Sequence, residues 1–266
     1  MRRGMSTSPP AFYERTASDV FVATSATESP WDKRLQHGSP PTALIAHAMR
    51  VNHPREDVRF ARMAAEFLGP IPLAEMTVRT RVARAGKRIE MLEGVLESGG
   101  REVVTARAWR IAVQAENAVP PAATTPDVAP ALPEDDAHTA TWLDRFGYGE
   151  AFEWRFVSGA QTLGPAAVWA RPRLPLVAGE PLTPLDRALL VVDSANGVSG
   201  ELPLTEWIFV PPSLSVALER YPVGEWTLLE ARTTLASDGL GVTTARLADT
   251  TGYFASATQA LLIEHR

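Results

Sequence analysis

One pattern of elements is written twice in this 266-residue chain, and that repeat most narrows the folds open to it. In the first half Ser39-Pro40-Pro41 opens an apolar segment through Leu44, Ile45, Ala48 and Met49. In the second, Thr183-Pro184-Leu185 opens another through Ala188, Leu189 and Val192, at an offset of 144 residues. Pro72-Leu73-Ala74-Glu75-Met76 is answered by Pro222-Val223-Gly224-Glu225-Trp226 at an offset of 150, each leading into β-prone runs separated by turns. One helix followed by four long antiparallel strands cannot cover both faces of a parallel sheet, but an antiparallel sheet can wrap around it. Two such units joined edge to edge would each cover a strand edge that the other leaves exposed. The expectation is an α+β pseudo-dimer within one polypeptide.

Within the first unit, Phe21 to Thr24 reads as a short strand and Ser39 to Val51 as a helix, with a serine N-cap and proline at the first helical position. Long strands are predicted over residues 59–68, 76–85, 88–97 and 102–113, with turns such as Ala85-Gly86-Lys87 and Ser98-Gly99-Gly100 between them. The second unit repeats this order: early strands over 150–158 and 166–170, a helix from Pro184 to Asn196, and strands over 213–219, 227–235, 241–248 and 253–263. Between Glu116 and Ala140, Pro120, Pro121, Pro126, Pro130 and Pro133 sit among alanine, threonine and acids, the composition of an extended, semi-rigid spacer. The expected division is a first unit over residues 1–115, a linker over 116–140 and a second unit over 141–266.

A hydrophobic fraction of 45% suits a chain with a proper core, and a formal charge of -5 with no basic stripe argues against a sequence-independent nucleic-acid binder. The absence of cysteine removes disulfides, thiolate nucleophiles and cysteine-zinc sites. No histidine has a second metal-type ligand at ordered spacing, so neither a metal nor another cofactor is expected, and His37 and His47 default to surface or capping roles. Met1-Arg2-Arg3 is not followed by an apolar stretch of the kind a secretory signal needs, and no run approaches the ~20 apolar residues of a membrane helix. The expectation is a cytoplasmic protein without membrane insertion. Gly197-Val198-Ser199-Gly200 lacks the spacing of a nucleophile elbow, and Gly99-Gly100 is a hairpin turn, not a phosphate loop.

His37-Gly38-Ser39-Pro40-Pro41-Thr42-Ala43-Leu44, the run from Leu185-Asp186-Arg187 through Val192-Asp193-Ser194-Ala195-Asn196-Gly197-Val198-Ser199, Arg220-Tyr221-Pro222-Val223-Gly224-Glu225-Trp226 and Gln259-Ala260-Leu261-Leu262 resemble the acyl-CoA thioesterase II family and its actinobacterial relatives. The similarity runs over about residues 15 to 265. It implies a double hotdog, two antiparallel sheets each wrapped around a central helix, and hydrolysis of acyl-CoA without a covalent intermediate. It also implies association into a homo-oligomer, a dimer or larger. In that family an Asp on the second helix, a Thr on the following strand and a Gln on the last strand position the attacking water. Asp193 and Gln259 match two of these. The third position falls on Pro211, which has neither a side-chain oxygen nor an N–H, and Ser213 and Ser215 lie close by in sequence.

The repeat singles out the same two residues independently, since Asp193 stands where the first helix has the apolar Met49, and Gln259, at a local offset of 152, where the first unit has Arg107. A partly buried carboxylate is costly without a partner or a task. Its bland reading is a bond to the loop at Asn196-Gly197; that of Gln259 is a glutamine satisfying backbone in the sheet. The functional reading makes Asp193 a general base and lets the Gln259 amide orient water or meet a developing oxyanion. Gly38 and Ser39, before Pro40, would offer backbone N–H groups to the thioester oxygen, with Ser213 and Ser215 as further substrate contacts. The acyl chain is expected between the second helix and its sheet. Two other readings keep the fold: an acyl-thioester binding protein with weak or no catalysis, and a hydratase or dehydratase, which needs an Asp and His pair. An oligomerising, purely structural role stays open as well.

Overall fold

Alternating apolar and polar residues build one twelve-stranded antiparallel sheet. The protein is described from a computed structural model over residues 9–113, 127–134 and 140–266. The first unit contains β1 (Tyr13–Arg15), β2 (Val20–Ala23), α1 (Ser39–Asn52), β3 (Val58–Phe67), β4 (Glu75–Arg84), β5 (Ile89–Ser98) and β6 (Arg101–Ala112). After the short α2 (Gly147–Glu150), the second contains β7 (Phe152–Ser158), β8 (Ala166–Pro172), α3 (Pro184–Val191), α4 (Ala195–Val198), β9 (Trp207–Leu218), β10 (Thr227–Leu235), β11 (Leu240–Asp249) and β12 (Gly252–His265).

The strand order β1-β2-β4-β5-β6-β3-β9-β12-β11-β10-β8-β7 reads the same from either end once each first-unit strand is exchanged for its counterpart. The middle of the sheet is the β3–β9 pairing, where Met63 lies opposite Val216 and Ala65 opposite Leu214. The units therefore join edge to edge, and each hides the strand the other would expose. A second junction lies at the far end, where Tyr13 of β1 bridges Val177 in parallel and Phe12 and Tyr13 donate to Pro175 and Leu176.

The central helices account for the curvature. Every residue of α1 from Ser39 to Met49 is buried, so the helix is covered all round, as expected for one enclosed by its sheet. Gly94 on β5 lets it approach closely, because a Cβ there would collide with the Ile45 side chain. The N-cap of α1 is Gly38, not Ser39 as its sequence suggests. Ser39 is instead the first helical residue, and its hydroxyl is used elsewhere. In α3 the cap follows the expected chemistry, a capping box in which Thr183 and Asp186 satisfy each other's backbone N–H.

Of the linker, Pro120, Pro121 and Pro126 lie outside the described residues. Ala129 and Leu132 pack on the outer face of the second unit against a buried patch of Trp169 and Leu228, and Asp127 pairs with Arg246. No helix among the described residues is long and apolar enough to cross a membrane.

Gly94→Val should force α1 away from the sheet and cost about 1–3 kcal/mol of stability, the usual penalty for overpacking a closed core. Urea unfolding is the measurement, and a loss well below that range would show that α1 is not tightly seated on β5.

Candidate active site

The helix expected over Pro184–Asn196 is broken in its last third. Between α3 and α4, residues Val192–Ser194 form a 3₁₀ turn, and Asp193 sits in its middle. A continuous α-helix would spend the Asp193 amide on the carbonyl four residues back. In the broken helix that N–H donates to Ser39 Oγ of α1 at 3.0 Å. Mid-helix 3₁₀ segments recur where a chain carries function, and here the turn moves a carboxylate and two backbone amides out of the helical ladder.

Gln259 closes the break from the opposite side. It lies on β12 facing inward with Ala257 and Leu261, as the period of two requires. Its Oε1 accepts the Asn196 N–H at 3.1 Å, which obliges its Nε2 to face Asp193. That nitrogen donates to Asp193 Oδ1 at 2.7 Å and lies 3.3 Å from the Asp193 carbonyl oxygen. Asn196 is anchored in turn by Nδ2 on the Phe209 carbonyl at 2.9 Å.

Asp193 is 4% exposed and Gln259 1%. The Gly38 backbone lies against the carboxylate, and a Cβ at Gly38 would stand 2.5 Å from its Oδ2 and 2.9 Å from Phe67. Only glycine fits there. Burial pushes the Asp193 carboxyl from its usual range up to about 7, and the hydrogen bonds from Gln259 and Gly38 only partly oppose this.

His37 completes the cluster, with Nδ1 3.7 Å from Asp193 Oδ2. Nδ1 accepts the Ser39 N–H at 3.2 Å, so the capping role holds, but the side chain is inside the fold and not on its surface. Its ring stacks on Tyr148 with centroids 3.9 Å apart and planes within 2° of parallel. Tyr148 donates its hydroxyl to the Leu190 carbonyl at 2.7 Å and lies 2.7 Å from Ser194 Oγ, clamping the imidazole to the helix break. Burial pushes His37 down to about 3, so it is neutral at physiological pH. A surface position fails for His47 too: it is buried, with Nε2 2.9 Å from Glu180 Oε2.

Asp193, Asn196, His37 and Gly38 form one wall of a cavity of about 320 Å³. It opens where β3 and β9 part company: their pairing ends at Glu66 and Ser213, leaving Phe67, Gly69, Pro70 and Ile71 facing Val210, Pro211 and Pro212. β9 starts earlier than its sequence suggests, at Trp207 rather than Ser213, and runs through both prolines. They are tolerated because no strand pairs with that stretch on the β3 side, and β12 skips it by a register shift between Ala260 and Leu262. The cavity therefore lies between the units, not between the second helix and its sheet. Under that helix runs a chain of buried hydroxyls, Ser199 to Thr233 at 2.9 Å and Thr233 to Thr243 at 2.7 Å.

Two comparisons with known proteins bear on this arrangement. The acyl-CoA thioesterase N-terminal domain family matches residues 27–111 and the acyl-CoA thioesterase C-terminal domain family residues 126–263. The chain belongs to the acyl-CoA thioesterase family. It is accordingly an enzyme of the thioesterase class, a hydrolase. Among solved structures it is similar to a protein provisionally named a thioesterase from Novosphingobium aromaticivorans, with TM-score 0.73 and 18% identity over 94% of this chain and 98% of that one. It is also similar to an acyl-CoA thioesterase II from Mycobacterium marinum, with TM-score 0.67 and 14% identity over 96% and 95%. At such identities the likeness is one of fold, the double hotdog. No curated protein matches the sequence.

Within this thioesterase the residues singled out in the sequence separate into two groups. Asp193, Gln259, Gly38 and Ser39 meet at one point. Ser213 and Ser215 do not: they sit on the outer face of the sheet, where Arg62 Nε donates to Ser215 Oγ at 3.1 Å. The alternation of β9 decides this, since Leu214 and Val216 take the inward positions. The Ser39 amide is committed to His37 Nδ1, while the Gly38 amide lies toward the Asp193 carboxylate. Arg107 is no counterpart of Gln259, because it points outward to Glu93 at 2.8 Å while its neighbours Ala106 and Ala108 point in. Asn196, His37 and Tyr148 were missed as site members. The i, i+3 spacing of Asp193 and Asn196 was the available signal for Asn196, and nothing local marks Tyr148.

The shift at Asp193 has a consequence for stability. Its folded value of about 7 exceeds the unfolded value of 3.8, so its contribution is full at acid pH and is lost as pH rises through 7. Asp193→Asn carries no such titration. The stability difference should therefore move in favour of the variant between pH 4 and pH 8, by up to about 4 kcal/mol at ~1.4 kcal/mol per pKa unit. Unfolding of both proteins across that range measures it, and a difference independent of pH would mean Asp193 is not perturbed.

Proposed function

We propose that this thioesterase hydrolyses acyl-CoA at the Asp193 site, with the thioester carbonyl in the cavity between the two units. The observation that carries this is a carboxylate poised near neutral pH at the wall of a largely apolar cavity, where a general base is most effective. Asp193 accepts a proton from water as the water oxygen adds to the thioester carbonyl carbon. It returns that proton to the departing thiolate as the tetrahedral intermediate collapses to a carboxylic acid and free thiol.

Gln259 acts through Asp193. Its amide hydrogens go to the carboxylate and backbone of Asp193, so its task is to hold the base and keep it ionised, rather than to share a water with it. Pro211, at the place the resemblance gives a threonine, offers the cavity an apolar wall. The polar group next to Gln259 is Asn196, whose Oδ1 is 3.5 Å from Nε2. A hydratase would need His37 to exchange protons beside Asp193, and an imidazole held down to about 3 is a poor acid–base partner near pH 7.

Release of free thiol from a panel of acyl-CoAs of different chain length tests the proposal. The kcat/KM profile should rise through about pH 7 to a plateau, and Asp193→Asn should lower kcat about 10²–10⁴-fold. Gln259→Leu removes a hydrogen bond that lowers the Asp193 pKa, so the rising limb should move to higher pH. A variant at Asp193 hydrolysing at the wild-type rate would place the chemistry elsewhere.

A further inference from the structure

Hydrolysis at Asp193 needs a hydrogen-bond donor for the carbonyl oxygen, whose negative charge grows as water adds. Most of the donors usually supplied by a helix start are turned inward here. The Gly38 N–H lies toward the Asp193 carboxylate, the Ser39 N–H is held by His37 Nδ1, Pro40 and Pro41 have none, and the Thr42 N–H bonds the Gly38 carbonyl. The Asn196 N–H goes to Gln259, and the Gln259 amide to Asp193.

His37 is left. Because Nδ1 accepts from the Ser39 backbone, the neutral ring carries its proton on Nε2. One ring face is covered by Tyr148 and the Nδ1 edge is turned to Ser39 and Asp193. Nε2, on the opposite edge, has no hydrogen-bond partner among the described residues and is not fully buried, which leaves that edge open to the cavity His37 lines.

We propose that His37 is a catalytic residue, its Nε2–H donating to the thioester carbonyl oxygen and to the oxyanion that forms there. The role rests on the reading of Asp193 as the base. Water gives its proton to Asp193, its oxygen bonds the carbonyl carbon, and the carbonyl electron pair moves onto the oxygen facing Nε2. The pair returns as the carbon–sulfur bond breaks, and the thiolate takes the proton from Asp193. His37 keeps its own proton throughout. Being neutral, it stabilises charge at the oxygen without surrendering a proton to Asp193 3.7 Å away.

The test uses His37→Phe, His37→Gln and His37→Asn beside Asp193→Asn, with folding checked by thermal melting. His37→Phe keeps a ring against Tyr148 and should lose about 10²–10³-fold in kcat, with KM changed little. A glutamine amide reaches the place of Nε2 and should keep activity within about tenfold of wild type, whereas an asparagine amide reaches only that of Nδ1 and should fall with the phenylalanine variant.

A second readout does not depend on turnover: infrared spectra of a bound ketone analogue of acyl-CoA with a methylene in place of sulfur. Its carbonyl stretch should be red-shifted in wild type, Asp193→Asn and His37→Gln, and the shift lost in His37→Phe. A shift that survives in His37→Phe, or equal rescue by asparagine and glutamine, overturns the proposal. If His37→Phe hydrolyses normally while Asp193→Asn does not, the donor role fails and the base stands. If Asp193→Asn hydrolyses normally but the shift still depends on His37, the base fails and the donor stands.

Discussion

The hydrogen bond from the Asp193 amide to the Ser39 hydroxyl is the contact on which the site depends. It is possible only because the second central helix breaks at Asp193, and only because Ser39 does not spend its hydroxyl as a cap. Gly38 takes the cap position, and its bare backbone enters the space beside the carboxylate where any side chain would collide. The break then needs new partners for its freed groups, and Gln259 supplies them with both ends of one amide. Each member is satisfied by another, as a buried polar cluster must be to avoid a large desolvation cost.

The pseudo-symmetry makes the contrast between the two helix junctions informative. At one, Asp193 has only neutral donors, Gln259 and the Gly38 amide, so burial is not offset by an opposite charge and its proton is held more tightly. At the other, Asp186 pairs with Arg50 at 2.5 Å while completing the Thr183 capping box. Glu180 there is paired with Arg15 at 2.8 Å and approaches His47 at 2.9 Å, and Met49 lies fully buried. There, charge is paired with charge between the two units. One junction is thus a strut, and the other a site.

Elements governed by short-range rules were readable without coordinates. Seven of the eight long strands, the turns between them and the proline-opened helix starts follow from period, turn residues and proline placement, and those strands stand within two residues of expectation. Three features with a longer-range cause were not. The second helix looks continuous because Leu189, Leu190, Val191 and Val192 suit an α-helix, and only the pull of Ser39 and Gln259 from other elements favours the 3₁₀ turn. β9 looks interrupted at Pro211-Pro212, and becomes a long strand because no neighbour demands their missing N–H groups. Ser213 and Ser215 look close to the site in sequence but fall on the wrong face, since proximity along a strand says nothing of which side a residue takes.

The repeat and its apolar patterning thus determined the duplicated α+β architecture. Its two points of divergence pointed to Asp193 and Gln259, as the resemblance did, although Arg107 proved to face the other side of the sheet from Gln259. Those inferences hold because helix and strand periodicity are properties of the local chain. The cavity at the parting of β3 and β9, the stacking of His37 on Tyr148 and the proton affinity of Asp193 were decided by the tertiary structure alone. Each depends on what lies across the junction between the two units. Burial, and the charge of the neighbours it brings, are not written in any single stretch of residues.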